Sequence, residues 1–200
     1  MRVLRYLVIL TLVLAGPVAA QETGGTGEGT YGGSEGSYGG EGTTSPGLSV
    51  ANRVATPQQV VMRLNAIPEF CSSSGAYLVD CMAERMEQLA EGMSGLSGYQ
   101  DARKTIGETA ANLRKIARDN RDPQAPRAVV QHSDANTKSS RPLVAVASTR
   151  KRQAAAAAVS ALEEAETILL RSAAQSTARA VQYQQIAAAL GSNKVLLRSL

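Results

Sequence analysis

The sequence of 200 residues predicts an all-α fold: a small helical hairpin or bundle with one long C-terminal helix, preceded by a disordered Gly-rich tail. Two observations predict this fold. From residue 49 onward, apolar side chains return every three or four positions, which is the period of an amphipathic helix. Residues 23–47 hold most of the glycine and almost no aliphatic side chain, so they bury too little surface to offset the entropy of ordering. We therefore expect a linker over 21–48 and a helical domain over 49–200.

The first twenty residues have the pattern of a cleaved signal peptide. Arg2 and Arg5 form a positive start, and the apolar run that follows, Leu7 to Ala15, is too short to span a bilayer as a stable helix. Small residues then end the segment 1–20 at Ala20, near which we expect cleavage. The pattern predicts export, and hence a periplasmic or secreted protein.

The two cysteines, Cys71 and Cys81, leave three interpretations open: a disulfide, a metal site or a redox pair. Zinc normally takes four ligands, and the chain offers these two thiols and a single histidine, His132, some fifty residues away. Redox pairs favour the Cys-x-x-Cys spacing, whereas nine residues separate these two. Because exported thiols meet an oxidising compartment, we predict a structural disulfide. Closing a loop of this size stabilises a fold by about 2.7 kcal/mol in the chain-entropy model.

The helical domain opens with a strong helix start. Thr56 suits the capping position and Pro57 the first turn, while Gln59 completes a capping box. Pro68 is expected to end this first helix. A second helix is predicted from about Ala76 to Met93, with the disulfide joining its start to the end of the first. Its inward face is predicted to hold Leu78, Cys81, Met82, Arg85, Leu89 and Met93.

Three further elements follow. A capping-box pattern at Ser97 opens a third helix that is expected to run to about Asn120. Prolines and polar residues predict an exposed loop over about 121–141, in which residues 127–130 form a brief ordered contact. The last helix is predicted as one continuous element from about Thr149 to Leu190, about 60 Å long. Its coiled-coil-like stripe consists of Leu162, Leu169, Ala173, Ser176, Ala180, Tyr183, Ala187 and Leu190.

Charged residues form two stripes on the predicted helices. The acidic stripe on the second helix consists of Asp80, Glu84, Glu87 and Glu91. It lies nearly opposite the apolar face, so we expect it to point to water. The basic stripe on the third helix consists of Arg103, Arg114, Arg118 and Arg121. Because the basic stripe only flanks the core, we do not expect the two stripes to pair, and both are typical of solvated faces.

The basic residues also allow a functional interpretation. Residues 49–200 carry 19 basic and 13 acidic side chains, a net charge of +6. Contacts to an anionic surface are predicted for Arg103, Arg114, Arg118, Arg121, Arg150, Lys151 and Arg152, with Arg127 as a further member. In an exported protein, such a surface belongs to lipid headgroups, lipopolysaccharide, cell-wall polymers or another protein. Nucleic acid is not expected, since the aromatic interleaving of a single-strand binder is missing.

The motifs of catalysis do not appear, and we predict neither an enzyme nor a metal or other cofactor. The sequence lacks the His-Glu-x-x-His and phosphate-loop patterns, and His132 sits in a polar stretch without a partner cluster. We expect a non-enzymatic interaction protein, an accessory of the envelope or of a secretion apparatus, which binds a protein partner or itself through the last helix. In architecture alone, the chain is similar to the secreted helical minor-pilus subunits of conjugative secretion systems. The alternative is a carrier with a small-ligand or lipid site between the helices.

Overall fold

Helices dominate the part of the chain that the computed structural model describes, residues 52–131 and 137–199. They are α1 (Pro57–Cys71), α2 (Leu78–Gly92), α3 (Gln100–Asp119), α4 (Lys151–Ala174), α5 (Ala180–Ser192) and α6 (Lys194–Arg198). Short 3₁₀ turns lie at Ser72–Tyr77, Met93–Gly95, Ser148–Arg150 and Thr177–Arg179. No strand forms within these described ranges, and the predicted all-α class is confirmed. The predicted signal peptide, its cleavage site near Ala20, the linker over 21–48 and His132 lie outside them.

Two antiparallel helix pairs enclose the core. Helices α2 and α3 pack together as one pair, and α4 and α5 pack together as the other. Helix α1 lies against both α2 and α5. The largest fully buried side chains are Leu64, Met82, Met86, Leu89, Met93, Ile106, Leu113, Leu143, Leu162, Leu169, Ile186 and Leu190. Among the described residues, no helix is both long enough and apolar enough to cross a membrane.

Helix α1 begins as predicted but does not end at Pro68. The Thr56 hydroxyl accepts a hydrogen bond from the Gln59 N–H at 3.3 Å, which caps the helix start. Pro68 lies inside the helix and has no N–H to give to the carbonyl of Leu64. The buried side chain of Asn193 donates to that carbonyl instead, at 3.2 Å. A residue more than a hundred positions away therefore lets the helix continue through its proline.

The cysteine pair lies where the sequence predicts it. Cys71 is the last residue of α1, Cys81 lies in the first turn of α2, and both are fully buried. Their sulfur atoms are at bonding distance and their Cα atoms are 5.9 Å apart. The pair thus ties two helices together across the short turn at Ser72–Tyr77. Gly75 in that turn has φ +56°, a conformation that favours glycine.

The long C-terminal helix is divided. α4 is the longest helix among the described residues, at 24 residues, but it ends at Ala174 and α5 runs back along it. The continuous element predicted over 149–190 was therefore wrong, and α4 spans about 36 Å instead of 60 Å. Ser176 and Thr177 at the break are weak helix formers, because their hydroxyls compete for backbone groups. Folding back buries most of the predicted stripe inside this same chain: Leu162, Leu169, Ala173, Tyr183, Ala187 and Leu190.

The start of α3 also differs from the prediction. α3 begins at Gln100 and no side chain caps it, so the capping box predicted at Ser97 does not form. Gly98 adopts φ +80°, and the guanidinium of Arg179 lies so close that a Cβ atom would be 2.8 Å from its Nη1. A stacked ring pair, Tyr99 and Tyr183 with centroids 5.5 Å apart, joins this end of α3 to α5. The start of α3 is therefore packed against α5 through an aromatic contact and has no side-chain cap.

Candidate functional site

The segment between α3 and α4 is an ordered cover, which we call the strap (residues 120–131 and 137–147). Ala128 and Leu143 exchange two backbone hydrogen bonds, at 3.2 Å and 2.8 Å, and the Ser139 N–H donates to the Val130 carbonyl at 2.7 Å. Leu143 is fully buried and anchors the strap in the core. Most described residues of the loop predicted over 121–141 are exposed, but Ser139 is buried and Arg141 is half-buried, and the predicted contact within 127–130 is confirmed.

Asp80 of α2 holds the strap in place. Its side chain is completely buried, and its two oxygens accept a bidentate pair from the Arg141 guanidinium, both at 2.9 Å. The Val144 N–H donates to the same carboxylate at 2.7 Å. Burial alone lowers the pKa of Arg141, but its hydrogen bond to Asp80 and the charges of Asp80, Glu87 and Glu84 raise that pKa above its usual value. The guanidinium therefore stays charged and the pair stays intact.

Glu84 fastens the strap one helical turn further on. It is almost completely buried, and its Oε1 accepts hydrogen bonds from the N–H and the hydroxyl of Ser140 and from the Gln88 amide, all at 2.7 Å. Its Oε2 lies 2.9 Å from the Nε of Arg85. The expectation that Asp80 and Glu84 face water was wrong, because the strap forms a second layer over this face of α2.

Arg85 links Glu84 to the disulfide-bonded end of α1. Its guanidinium lies 3.6 Å from the centre of the Phe70 ring and donates to the Lys138 carbonyl at 2.8 Å. Burial lowers the pKa of Arg85, and the charge of Glu84 opposes this effect. The buried charges of α2 are thus each met by a partner from the strap or from α2 itself.

Arginines from α3 and from the strap converge on the other side of the strap. Two adjoining clefts, of about 260 Å³ and 300 Å³, share Arg118, Arg127 and Val144 in their walls. We call the two together the basic cleft. Its charged lining consists of Arg114, Arg118, Arg121, Arg127, Arg141, Asp80 and Asp122.

Both carboxylates in the wall of the basic cleft already have partners. Asp80 binds Arg141 and the Val144 N–H, and Asp122 accepts the N–H of Gln124 at 2.9 Å. Arg114 lies 3.0 Å from Glu87. The two charge stripes therefore do pair at this point, which corrects the prediction that they would not.

Three arginines of the basic cleft remain without a partner. In the part of the chain that the structure describes, the side chains of Arg118, Arg121 and Arg127 make no hydrogen bond or ion pair, and all three residues are exposed. The carbonyl end of α3 beside them is covered, since the Ala147 N–H donates to Asn120 at 3.0 Å and Arg150 donates to Asp119 at 3.0 Å. Two of the carbonyl groups at the negative end of the helix dipole therefore already have donors.

The structure separates the predicted anion contacts into groups. Arg114, Arg118 and Arg121 line the basic cleft as a set. Arg103 lies toward the opposite end of α3 and donates to the Ala90 carbonyl at 3.2 Å. The other three, Arg150, Lys151 and Arg152, lie at the start of α4 and do not line the cleft.

The sequence prediction of the site missed Arg141. Residues around 121–141 were predicted to be solvent-exposed, so no charged residue there was considered as part of a site. The apolar run from Leu143 to Val146 is a signal that was available in the sequence, because four such residues beside a supposed exposed loop favour an anchor in the core.

A second concave surface lies between α1 and α5. This groove, of about 570 Å³, is lined by Gln58, Val61, Met62, Asn65, Gln185, Ala188 and Ala189. Met62 is 68% exposed. The groove therefore presents apolar and amide groups, in contrast to the charge of the basic cleft.

Comparison with protein-family models, with curated proteins and with solved structures finds no match to this chain. The interpretation of the basic cleft rests on its own residues and their chemistry.

Proposed function

We propose that this chain is an exported, non-enzymatic interaction protein of the cell envelope, periplasmic or secreted, which holds an anionic partner in the basic cleft. One observation carries the proposal: Arg118, Arg121 and Arg127 meet at a concave surface without partners among the described residues. The signal-peptide pattern and the cysteine pair at bonding distance support the exported setting.

Unpaired arginines at a concave surface attract anions. A guanidinium presents five N–H donors in a planar fork that matches carboxylate and phosphate oxygens. Like charges held close together repel each other, and a cleft focuses their field and attracts an anion. The anchoring of the strap by Asp80 and Glu84 holds the side chain of Arg141 and the backbone that carries Arg127 in place before any partner arrives. A cleft that is organised in advance loses less entropy on binding.

A second candidate function is protein contact through the C-terminal region, by way of the groove between α1 and α5. The exposed Met62 beside this groove favours it, as does Val181 of α5, which is 60% exposed. The partner in that case is another protein or a second copy of this chain. A carrier function would place a small ligand or lipid in the same groove.

The two surfaces are distinguished by photo-crosslinking in cells that naturally produce the protein. A photo-reactive amino acid replaces Ala125 in the basic cleft, Ala188 in the groove or, as a control, the exposed Ala156 of α4. A specific envelope component captured from Ala125 supports the proposal. Capture only from Ala188 supports the second candidate, and self-crosslinks there indicate an oligomer. Equal products from all three positions, or none from any, contradict the proposed interaction.

Export is tested separately. N-terminal sequencing of the protein from the periplasmic fraction and from the medium should give a first residue close to Gln21. A chain that keeps its first twenty residues in the cytoplasm contradicts the exported setting.

A further inference from the structure

We infer that the basic cleft is a binding site for a phosphate group, held by Arg118 and Arg127 as its main ligands. The inference deepens the proposed function, on which it rests, by naming the chemical group that the anionic partner presents. Arg118 and Arg127 line both halves of the cleft and therefore flank the point at which the halves adjoin.

The size of the cleft admits a phosphate group together with part of the molecule that carries it. Pockets for organic ligands usually measure about 300–1,000 Å³. The two adjoining halves measure about 260 Å³ and 300 Å³, so the joined cleft lies within that range.

The charge of the cleft selects phosphate over carboxylate. Two of its five arginines are paired, Arg114 with Glu87 and Arg141 with Asp80. The other three have no partner among the described residues, and Asp122 is the remaining carboxylate of the wall, so the cleft keeps an excess of positive charge. A phosphate monoester carries about 1.5 to 2 negative charges at neutral pH and has three terminal oxygens. A carboxylate carries one charge and two oxygens, so it would leave a guanidinium without a partner.

The strap fixes the two main ligands relative to each other. Arg118 lies in the last turn of α3, while Arg127 lies next to Ala128, whose backbone is bonded to Leu143. Leu143 is buried, and the neighbouring Val144 is bound to Asp80. The ligands thus come from two elements that are joined through the core. Bidentate arginine contacts depend on such fixed geometry.

The test compares two double variants with equal loss of charge. Arg118→Gln/Arg127→Gln removes the two main ligands. Arg53→Gln/Arg171→Gln removes two exposed arginines that lie outside the basic cleft, and it serves as the matched control. Far-ultraviolet circular dichroism and thermal unfolding verify that both variants fold. The probe is inorganic phosphate, titrated at constant ionic strength while the arginine Nε–Hε resonances are followed by NMR.

We expect saturable phosphate binding in the natural protein, weakened on the order of tenfold for each ligand arginine that is removed, because hydrogen bonds to charged groups are lost. The control variant should bind as the natural protein does, and acetate should compete poorly. If phosphate binding is weakened equally in both double variants, the inference is overturned, because binding then depends on the net charge of the protein and not on these two arginines. Acetate binding as strong as phosphate binding also overturns it.

Vesicles distinguish a lipid phosphate from a soluble one. Phosphatidic acid presents a phosphate monoester, phosphatidylglycerol presents a diester of lower charge, and phosphatidylcholine provides a surface without net charge. A lipid headgroup is identified if the protein binds phosphatidic acid vesicles more tightly than phosphatidylglycerol vesicles of equal surface charge. This preference should be lost in Arg118→Gln/Arg127→Gln. Binding of inorganic phosphate without preference among vesicles identifies a soluble phosphorylated molecule, and both results support the site.

Failure of this inference is distinguishable from failure of the proposed function. A flat phosphate titration, together with a specific envelope component crosslinked from Ala125, overturns the phosphate site and leaves the interaction. Saturable phosphate binding without any crosslink from Ala125 in cells supports the site and overturns the proposed envelope interaction.

Discussion

The two ends of α3 are fixed in different ways. At its N-terminal end, the rings of Tyr99 and Tyr183 stack and the guanidinium of Arg179 covers Gly98. At its C-terminal end, an ion pair holds the chain that follows: the strap crosses to α2, where Asp80 binds Arg141. One end therefore depends on aromatic burial, and the other depends on buried ion pairs with surplus arginines outside them.

The difference separates structural charges from functional ones. Arg141, which has a buried carboxylate partner, holds the strap, whereas three other arginines of the basic cleft have no partner among the described residues: Arg118, Arg121 and Arg127. If this division is right, removing a charge on one side of the strap changes stability, and removing a charge on the other side changes binding alone.

Asp80→Ala should give the largest loss of stability. The substitution leaves the partly buried guanidinium of Arg141 without its bidentate partner and the Val144 N–H without an acceptor. Breaking a buried pair costs about 3–5 kcal/mol, and we expect the lower end because the Arg141 side chain is 19% exposed. Urea unfolding measures the change. The control is Asp122→Ala, which should cost less than about 1 kcal/mol, because the residue is half-buried and, among the described residues, its carboxylate accepts only the Gln124 N–H. Equal costs in the two variants would mean that the strap does not depend on Asp80.

Loss of the cysteine pair should have the next largest effect. Cys71→Ala/Cys81→Ala removes the covalent tie beside Asp80, and the chain-entropy model gives a loss of about 2.7 kcal/mol in the free energy of unfolding. Thermal unfolding of the natural protein with and without reductant supplies the comparison. If the double variant and the oxidised protein unfold at the same temperature, the tie contributes nothing to stability and non-covalent contacts alone join α1 to α2.

Local patterns explain what could be predicted from the sequence. The periodicity of α1 to α3 and the cysteine spacing concern neighbours along the chain, and these predictions agree with the structure. The stripe predicted on the third helix also included Arg103, which lies toward the other end of α3 and donates to the Ala90 carbonyl. Arg114 and Arg118 line one cleft as predicted, because helical angles depend only on position along the helix. Arg121 lies just past the end of α3 but still lines the cleft.

Contacts between distant segments explain which features could not be predicted from the sequence. Asp80 and Glu84 lie on the face of α2 opposite its apolar residues, and only the strap, some sixty residues later, covers them. Pro68 ends a helix by local rules, but Asn193 satisfies the carbonyl that the proline leaves free. The break between α4 and α5 is decided by burial of both halves against the core, which outweighs the continuous periodicity of the stripe.

The aromatic end of α3 should respond to alkaline pH. Burial, and then the charge of Asp101, raise the pKa of Tyr183 above its usual value. As pH rises, Tyr183 therefore ionises in the unfolded chain before it ionises in the folded protein. The contribution of Tyr183 to stability is full below about pH 10, and it is lost as pH rises through the raised pKa of the folded protein. Tyr183→Phe should cost less than about 1 kcal/mol at pH 7, because the hydroxyl bond to Gly98 is long at 3.4 Å. The variant should lose less stability than the natural protein between pH 9 and pH 11, as measured by urea unfolding, and an identical loss would contradict the assignment.

The smallest effect on stability is expected for the unpaired arginines of the basic cleft, and it decides whether paired and unpaired arginines have different roles. Arg118→Gln/Arg127→Gln should change the free energy of unfolding by less than about 0.5 kcal/mol for each residue, because both side chains are exposed and have no partner among the described residues. Relief of repulsion among the five arginines of the cleft favours a slight increase in stability, most visible at low salt, since salt screens such charges. Unfolding in urea at low and at high salt measures it. A loss comparable to that of Asp80→Ala would assign these arginines to the strap and would remove the basic cleft as a binding site.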